Sequence, residues 1–362
     1  MGSKAKMSFT ESIFLTGFPG FIASRLVERL AKPDTEFFLL IQPQFVEKAM
    51  HDVQKITDKT GTPVENFGLI EGDITRENLG IEAEDLETLR NEVTDIYHLA
   101  AVYDLAVDKN LAYRVNLEGT RNVNAFAKTV EHLHRHNYIS TCYVAGRRKG
   151  KILEGDLKHD AGFRNFYEET KYLAEMEVED LKEELPVTII RPSVVVGDSQ
   201  TGETAKYDGI YYLIHYLLKA PGLLRFINVG NKDVRLNLVP VDFVVDGIAA
   251  LARDEAAVGR TIALADPHPL TTAELFDAIA QKMTGKVSVI KPPSALIEWS
   301  LNLPFSPPIT GLPHYAVPYF FIAQTYDTNI AGEILGSHGV KCPNFKDYAG
   351  NLLAFVKKHP QL

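Results

Sequence analysis

A tyrosine and a lysine four residues apart, in the segment YEETK, are the residues with the clearest chemical potential. Tyr167 and Lys171 fall on one face of a predicted helix. A phenol with an ordinary pKa of about 10 transfers protons poorly at neutral pH. A neighbouring ammonium group favours the phenolate and brings that pKa closer to the working pH. The spacing indicates a general acid or base, although the same pair is also common on surface helices.

A glycine-rich segment near the start of the chain, FLTGFPGFIASRL at residues 14–26, has the form of a dinucleotide-binding turn. Gly17 allows a tight turn after a strand, Gly20 lets the main chain approach a pyrophosphate, and Ala23 permits close packing of the next helix. That helix would offer unpaired N–H groups to the phosphates. An ordinary strand-to-helix turn has the same short pattern, so the elements that follow must decide between the two.

Those elements alternate between short apolar runs and amphipathic stretches. The runs SIFLTG, EFFLLIQ, FGLIEGDI, DIYHLAA, NYISTCYVAG and VTIIRPSVVVG are typical of strands buried on both faces. Helical patterns separate them, for example at residues 112–133 and 166–185. The alternation predicts an α/β fold with a doubly wound parallel (Rossmann) sheet. The predicted domains are an NAD(P)-binding Rossmann domain (8–198 plus 237–262) and a smaller, mostly C-terminal substrate-binding lobe (199–236 plus 263–362).

Residues that follow the predicted strands support the cofactor interpretation. Asp73 in EGDI follows the third strand, where a carboxylate can accept a hydrogen bond from an adenine amino group. Ala100 and Ala101 follow the fourth strand and leave room for the cofactor. Thr141 follows the fifth strand, where its hydroxyl could bond a substrate carbonyl, and Asn116 lies on the preceding helix. An aspartate after a strand is usually only a turn former, but the ordered set favours a dinucleotide cradle.

The same segments resemble a known superfamily. TGFPGFIA, GDI, HLAA, NLEGT, YISTCYVAG, YEETKY and RPSVVVGDSQTGE are similar in order and approximate spacing to the motifs of extended short-chain dehydrogenases/reductases. Within it, YISTCYVAG and RPSVVVGDSQTG are most similar to the fatty acyl-CoA reductase and thioester reductase (male-sterility-like) branch. The resemblance covers roughly residues 12–275, and the remainder matches no family.

The resemblance implies a role for each matching residue. Tyr167 would be the general acid or base, Lys171 would lower its pKa and hold the nicotinamide ribose, and Thr141 would polarise the carbonyl. Asn116 would support a proton relay. Asp73 would lie near adenine, with residues 192–194 beside the nicotinamide. The expected cofactor-binding residues are Thr16, Gly17, Gly20, Phe21, Ile22, Gln42, Asp73, Ile74, Ala100, Ala101, Lys171, Pro192, Ser193 and Val194.

The end of the second predicted strand bears on the choice of cofactor. NAD enzymes usually have an acidic residue there that binds the ribose 2′-hydroxyl. The reductase branch often has an arginine, whereas this chain has Gln42 in LLIQPQ. Because no carboxylate repels a 2′-phosphate at this position, we expect NADP(H) to be preferred over NAD(H).

These features predict an NADP(H)-dependent reductase of a carbonyl in a hydrophobic substrate, first of all a fatty acyl thioester or aldehyde. A dehydrogenase of a hydrophobic ketone or secondary alcohol, steroid-like or isoprenoid-like, would use the same groups. A nucleotide-sugar epimerase is less favoured because few basic residues, mainly Lys219, Arg225, Lys232 and Arg235, lie in the smaller lobe. A non-catalytic NAD(P)-binding sensor would not need Tyr167 as a proton donor.

Composition restricts the partners. The net charge is −9, the pI is about 5.7 and the Lys and Arg residues are scattered, which argues against a nucleic-acid partner. Two cysteines, Cys142 and Cys342, cannot form a disulfide framework, so we expect a reducing, cytoplasmic location. No apolar signal region precedes SIFLTGFPG. The cluster HLHRH at 132–136 indicates a polar helix end and no metal site.

Two apolar stretches stand out in the smaller lobe. Residues 207–224 have aromatic and aliphatic residues at helical spacing, and residues 299–326 contain no Asp, Glu, Lys or Arg. Five prolines divide the second stretch into pieces too short to span a membrane. Either stretch could form the core of the lobe or the lining of a pocket for a long acyl or polycyclic substrate. A homodimer face and peripheral contact with a membrane are the remaining alternatives.

Overall fold

The structure, a computed structural model, describes residues 9–219, 227–304 and 306–361. The predicted domains also include residues 8, 220–226, 305 and 362, which lie outside the described residues. The end of the apolar stretch 207–224 and Arg225 also lie there.

Strands and helices alternate along the described chain as the sequence predicts. The strands are β1 (Glu11–Thr16), β2 (Thr35–Ile41), β3 (Phe67–Glu71), β4 (Asp95–His98), β5 (Arg135–Ile139), β6 (Gly150–Ile152), β7 (Val187–Pro192), β8 (Val194–Val196), β9 (Leu238–Pro240), β10 (Thr261–Leu264) and β11 (Gln324–Tyr326). The α-helices are α1 (Phe21–Leu30), α2 (Val46–Thr60), α3 (Ala83–Glu92), α4 (Lys109–Ala112), α5 (Gly119–Ala127), α6 (Phe166–Asp180), α7 (Ile210–Lys219), α8 (Val241–Leu251), α9 (Thr272–Thr284), α10 (Ser294–Leu301), α11 (Ser306–Thr310), α12 (Asn329–Ser337) and α13 (Phe345–Lys358).

The central sheet confirms the predicted fold class. Its strand order is β3-β2-β1-β4-β5-β7-β10, and the pairs β1–β2, β2–β3, β1–β4, β4–β5 and β5–β7 are parallel. Strands such as β1 and β7 are buried along almost their whole length, which explains their continuous apolar runs. The chain order reverses between β1 and β4. Ligands of doubly wound sheets bind beyond the carboxyl ends of the strands at such a point.

Aromatic packing fixes α5 against the sheet. The rings of Phe14 on β1 and Phe126 on α5 lie 4.8 Å apart between centroids. Phe38, Ile96 and Val123 belong to the same buried cluster. The apolar face of α5 therefore sets the position of the segment before it, which carries Asn116.

The helix predicted at residues 112–133 is wrong in its extent. The chain forms α4, a π-helical turn (Tyr113–Glu118) and then α5, which already ends at Ala127. The main-chain N–H of Glu131 donates to the carbonyl of Arg90, and that of His134 to Thr94. These contacts tie the segment after α5 to the end of α3 and to the residue before β4, where a continued helix would not reach.

The histidine cluster HLHRH is therefore not a helix end. His136 lies within β5, fully buried, with its Nε2 3.3 Å from Asn124 Oδ1. His132 is exposed in the turn before the strand. Within the described ranges, no group of three or more His, Cys, Asp or Glu side chains is placed to hold a metal ion.

The chain divides into two compact units. The first contains the described parts of Met1–Val144, Phe163–Ile190 and Val245–Ile262, and the second those of Ala145–Gly162, Arg191–Val244 and Ala263–Leu362. The second unit therefore includes residues 145–162, which the predicted domains place in the Rossmann part.

A buried carboxylate explains why that segment belongs to the second unit. Glu154, 2% exposed, accepts hydrogen bonds from the main-chain N–H groups of Ala263, Ile330 and Ala331, at 2.9, 2.6 and 3.2 Å. Burial raises the pKa of Glu154 although these bonds oppose the shift. A single side chain thus joins residues 145–162 to β10 and to the start of α12.

The second unit has its own core, formed largely by α7, α9 and α13. Ile214, Phe276 and Leu352 belong to its buried cluster. A capping box begins α9, as the spacing of Thr271 and Glu274 in LTTAELF predicts. Thr271 accepts from the N–H of Glu274 at 3.1 Å, and the Glu274 carboxylate accepts from the N–H of Thr271 at 2.8 Å. No helix among the described residues is long and apolar enough to cross a membrane.

Candidate active site

The glycine turn after β1 has the geometry of a phosphate cradle. Gly17 has φ +95°, and a Cβ there would lie only 2.9 Å from the main-chain nitrogen of Ala100. A Cβ on Gly20 would lie 2.6 Å from the carbonyl oxygen of Gly17. Helix α1 begins at Phe21 without a side-chain cap or an acidic residue in its first turn. Its first N–H groups are therefore available to an anion.

A buried histidine connects this turn to the helix beyond β4. His98 Nδ1 lies 2.7 Å from Thr16 Oγ1, and Nε2 lies 3.0 Å from Thr120 Oγ1. The Thr120 hydroxyl donates to the carbonyl of Asn116, so it accepts from His98, which is then a neutral Nε2–H imidazole. Thr16 donates to Nδ1 and accepts from the N–H of Ala100. Burial, and then the nearby Lys171, holds the pKa of His98 well below its usual value.

On the side predicted for adenosine, Gln42 and Asp73 are in contact. Gln42 Nε2 donates to Asp73 at 3.0 Å, and the N–H of Thr75 donates to the same carboxylate at 2.8 Å. Burial opposes the charge of Asp73, but these hydrogen bonds outweigh it and lower the pKa. Ile74 is 6% exposed and packs in the sheet core beside Gly119. The Ile74 side chain therefore packs under the segment that carries Asp73.

Lys48 is a residue that the sequence patterns do not single out. It is exposed on α2, and its ammonium donates to the carbonyl of Pro19 in the glycine turn at 2.7 Å. Lys48 lies six residues after Gln42, in the first turn of α2. A positive charge therefore stands directly beside the cradle.

Asn116 lies in the π-helical turn and is 1% exposed. Its side chain binds Val102 in both directions: Oδ1 accepts from the N–H at 2.8 Å, and Nδ2 donates to the carbonyl at 3.0 Å. Nδ2 also donates to Thr170 Oγ1 on α6 at 3.1 Å. Asn116 thus holds the segment after Ala101 against the helix that carries Tyr167.

The fold brings Thr141 and Tyr167 into contact. Thr141 follows β5, Tyr167 lies in the first turn of α6, and a side-chain hydrogen bond joins them. Burial raises the pKa of Tyr167 to about 12. The hydrogen bond opposes this rise and the carboxylate of Glu168 adds to it. The phenol is therefore protonated at neutral pH.

Lys171 lies one turn farther along α6 and is 3% exposed. Its ammonium donates to the Tyr138 hydroxyl at 2.8 Å and to the carbonyl of Ile139 at 2.9 Å. Burial lowers the pKa of Lys171 to about 7, and the carboxylate of Glu175 opposes that shift. In this structure the ammonium contacts Tyr138, and the predicted effect of Lys171 on the pKa of Tyr167 stays a prediction.

Glu175 is a second residue that the motifs do not identify. It is fully buried on α6, one turn after Lys171, and accepts a short hydrogen bond from Ser140 at the end of β5. The sequence does offer a signal for Glu175: a carboxylate four residues after the lysine, on a helix whose other residues at that spacing pack on the sheet.

Pro192, Ser193 and Val194 lie in the second unit. The N–H of Ser193 donates to the carbonyl of Leu264 at 3.0 Å, and its hydroxyl donates to Asn237 at 2.8 Å. These bonds fix the segment between β7 and β8. Its predicted place beside the nicotinamide stays a prediction.

The residues present fit an NAD(P) cofactor. In the first unit, the cradle at Gly17 can hold only glycine, the start of α1 offers N–H groups, and Ala100 lies at the reversal point of the sheet. Phe21 and Ile22 begin α1 and are half-buried, as are Ala100 and Ala101. The predicted cofactor residues of this unit thus gather at the carboxyl edge of β1, β2 and β4.

Comparison with known proteins agrees with this geometry. A family model described as male sterility protein matches residues 15–248. The chain is 27% identical over 286 residues to the fatty acyl-CoA reductase wat of Drosophila melanogaster, covering 68% of this chain and 54% of the relative. It is 25% identical over 331 residues to the chloroplastic fatty acyl-CoA reductase 2 of Arabidopsis thaliana, covering 72% and 53%. The chain spans about half the length of these curated relatives.

Among solved structures, the terminal R domain of the myxalamid PKS-NRPS biosynthetic pathway has the same fold. Its TM-score is 0.78 at 24% identity, with 97% of this chain and 92% of that chain covered. The predicted fold class and family resemblance are therefore confirmed. Since the family model spans well over half of its residues, the chain belongs to the male sterility protein family.

Proposed function

We propose that this chain is a reductase that uses a reduced nicotinamide cofactor to reduce the carbonyl of a hydrophobic substrate, a fatty acyl thioester or the derived aldehyde. The observation that carries the proposal is the hydrogen bond between the buried Thr141 and the half-buried Tyr167, with Lys171 one helical turn away. A protein that only binds the cofactor has no need of a proton donor held there.

The chain's own residues would hold the carbonyl and supply a proton. Thr141 and Tyr167 would bind the carbonyl oxygen together, and the protonated phenol of Tyr167 would donate to that oxygen as negative charge develops. The bound cofactor supplies the hydride that adds to the carbonyl carbon. With a thioester, the C–S bond then breaks to give an aldehyde and a thiol. The ammonium of Lys171, one helical turn away, would stabilise the phenolate by its positive charge.

The substrate class is supported by the relatives named fatty acyl-CoA reductases and by the chain's membership in their family. A hydrophobic ketone or secondary alcohol would meet the same Thr141 and Tyr167 groups, so a substrate panel has to separate the two. The panel is NADPH oxidation with dodecanoyl-CoA, dodecanal, simple ketones and a steroid ketone. Activity confined to ketones would refute the acyl proposal.

Substitution of the proposed acid tests the catalytic role. Tyr167→Phe should reduce turnover of the best carbonyl substrate by about 10²- to 10⁴-fold. NADPH binding, followed by nicotinamide fluorescence, should remain. Tyr172→Phe is the matched control, since Tyr172 follows on the same helix and packs on the Phe163 ring. Wild-type protein that turns over no carbonyl, or a Tyr167→Phe variant with full activity, would contradict the proposal.

We also propose that NADP(H) is preferred over NAD(H). Lys48 supports this preference because its ammonium lies at the glycine turn, close in sequence to the end of β2 where the ribose 2′-phosphate would lie. The carboxylate of Asp73, bonded to Gln42, opposes it. Asp73→Asn should therefore increase the ratio of kcat/KM for NADPH to that for NADH. A clear NADH preference of the wild type would overturn the proposal.

A further inference from the structure

A cavity of about 170 Å³ lies within the second unit. Helix α7 contributes Tyr212, Leu213 and Tyr216 to its wall, and α10 contributes Ile297 and Leu301. The opposite face of α7, with Ile214, is buried in the core of the unit. Both apolar stretches noted in the sequence therefore serve two purposes, since one face packs in a core and the other lines a cavity.

The wall of the cavity is mostly apolar. The hydroxyl groups of Thr272, Ser300 and Thr310 each donate to a main-chain carbonyl, at 3.2, 2.8 and 2.9 Å. Tyr212 and Tyr216 add two phenol groups to the lining. None of the described lining residues is charged. A ligand with many polar groups would lose more hydration than these few hydroxyl groups can replace, whereas a hydrocarbon chain loses no hydrogen bonds on entering.

The cavity lies between two packed clusters and is not a loose core. Leu213 and Val229 pack on the large cluster of the unit. Leu301 and Phe321 pack on a smaller one, and Phe320 packs on both. Because these wall residues pack against clusters behind them, the space is preformed and its size can discriminate between ligands.

The volume limits what can enter. An apolar cavity of about 150 Å³ holds a six-carbon ring such as benzene. A polycyclic ring system needs far more space, but the last carbons of a linear chain fit. We propose that this cavity binds the terminal methylene groups of a linear aliphatic acyl chain. The proposal rests on the proposed reductase function for its substrate class, but it concerns a separate binding step.

Direct binding of dodecanoate, measured by calorimetry below its micelle concentration, tests the site without any reaction. Wild-type protein should bind dodecanoate at least about tenfold more tightly than butanoate, because only the longer chain can fill the cavity. Ser300→Phe, which places a ring in the cavity, should weaken dodecanoate binding about tenfold or more. Ser300→Ala, which loses the same hydroxyl but adds no volume, should bind like wild type.

A second control is Leu296→Phe, which adds a ring to the outer face of α10, where Leu296 is 54% exposed. It should leave binding unchanged. Phe321→Leu, which enlarges the cavity, should shift the tightest binding toward longer acids. This second variant keeps the test valid even if Ser300→Phe folds poorly. Equal affinity for butanoate and dodecanoate, or dodecanoate binding insensitive to both cavity variants, would overturn the proposal.

Turnover separates this proposal from the reductase function. The KM for acyl-CoA substrates should fall with chain length in wild type and become independent of it in Ser300→Phe. If dodecanoate binds in the cavity but no acyl-CoA is reduced, the reductase proposal fails and the site stands. If acyl-CoA is reduced with no effect of the cavity variants, the site fails and the function stands.

Discussion

Two buried histidines, His98 on β4 and His136 on β5, make the folded protein less stable at acid pH. Burial lowers the pKa of His136 to about 4, and it holds the pKa of His98 well below its usual value. The unfolded chain takes up these protons near pH 6.5, before the folded protein does. The free energy of unfolding therefore keeps its full contribution from these histidines above pH 6.5. That contribution is lost as the pH falls through 4.

His136→Gln should reduce this acid sensitivity. Between pH 7.5 and 4.5 the contribution of His136 to the free energy of unfolding should fall by about 2–3 kcal/mol, and the variant should lack that part of the loss. Urea unfolding at the two pH values measures it. His132→Gln, at an exposed neighbour, should show the wild-type pH dependence. Equal pH dependence of His136→Gln and wild type would contradict the assignment.

The buried carboxylate of Glu175 should act on Lys171, as a positioning residue. The groups that face Lys171 are His98 from β4, Tyr138 from β5 and Glu175 from its own helix. Among these groups, Glu175 carries the negative charge that favours the ammonium form. Glu175→Gln should therefore lower the pKa of Lys171 below about 7 and reduce the charged fraction at neutral pH.

In the proposed reaction this change should move the alkaline limb of kcat/KM to lower pH by about one unit. The pH–rate profile measures it, and a merely structural role would lower activity without moving the limb. Glu183→Gln, exposed beyond the end of α6, is the control. An unmoved alkaline limb in Glu175→Gln would show that the carboxylate does not act on Lys171.

At the scale of elements, α6 carries the reactive groups at intervals of one turn. Tyr167, Lys171 and Glu175 repeat every four residues and so face the same strand ends. Asn165 caps the helix by accepting from the N–H of Glu168 at 2.9 Å, and this fixes where the first turn begins. The position of Tyr167 beside Thr141 thus depends on a local capping signal and on the packing of α6 against β5.

The turn between β1 and α1 is the element most sensitive to a single methyl group. Gly17→Ala should destabilise the protein by about 1–3 kcal/mol and abolish measurable NADPH binding, because the new Cβ meets the main chain at Ala100. Gly61→Ala is the matched control: Gly61 has φ +73° but open space around a Cβ. It should lose stability only and keep NADPH affinity. Unfolding midpoints and NADPH titration measure both, and retained NADPH binding in Gly17→Ala would refute the cradle.

For the whole molecule, cofactor binding should appear as stability. NADPH at 100 times its Kd should raise the free energy of unfolding of the part that binds it by about 2.7 kcal/mol, and NADH at the same concentration should do less. Lys48→Ala should reduce the effect of NADPH and leave that of NADH. Lys55→Ala, exposed farther along α2, should change neither. Thermal unfolding with each cofactor provides the measurement, and equal stabilisation by both would contradict the NADP(H) proposal.

Local patterns in the sequence were enough for the fold class, the glycine turn, the capping box of α9 and the pairing of Tyr167 with a strand-end hydroxyl. Each depends on residues a few positions apart or on the rule that parallel strands end at one edge. The same patterns failed at residues 112–133. There, contacts to Arg90 and Thr94 ended a helix whose periodicity continued.

Only the tertiary structure revealed the groups joined across long separations. His98 reaches Thr16 across 82 positions, Lys171 reaches Tyr138 across 33, and Glu175 reaches Ser140 across 35. The cavity likewise combines α7 with α10. The sequence by itself determined which chemistry is available, because spacing sets the face of a helix and the end of a strand. Burial and the contacts made by packing decided the protonation of Tyr167 and Lys171, since the environment of a side chain exists only once distant segments meet.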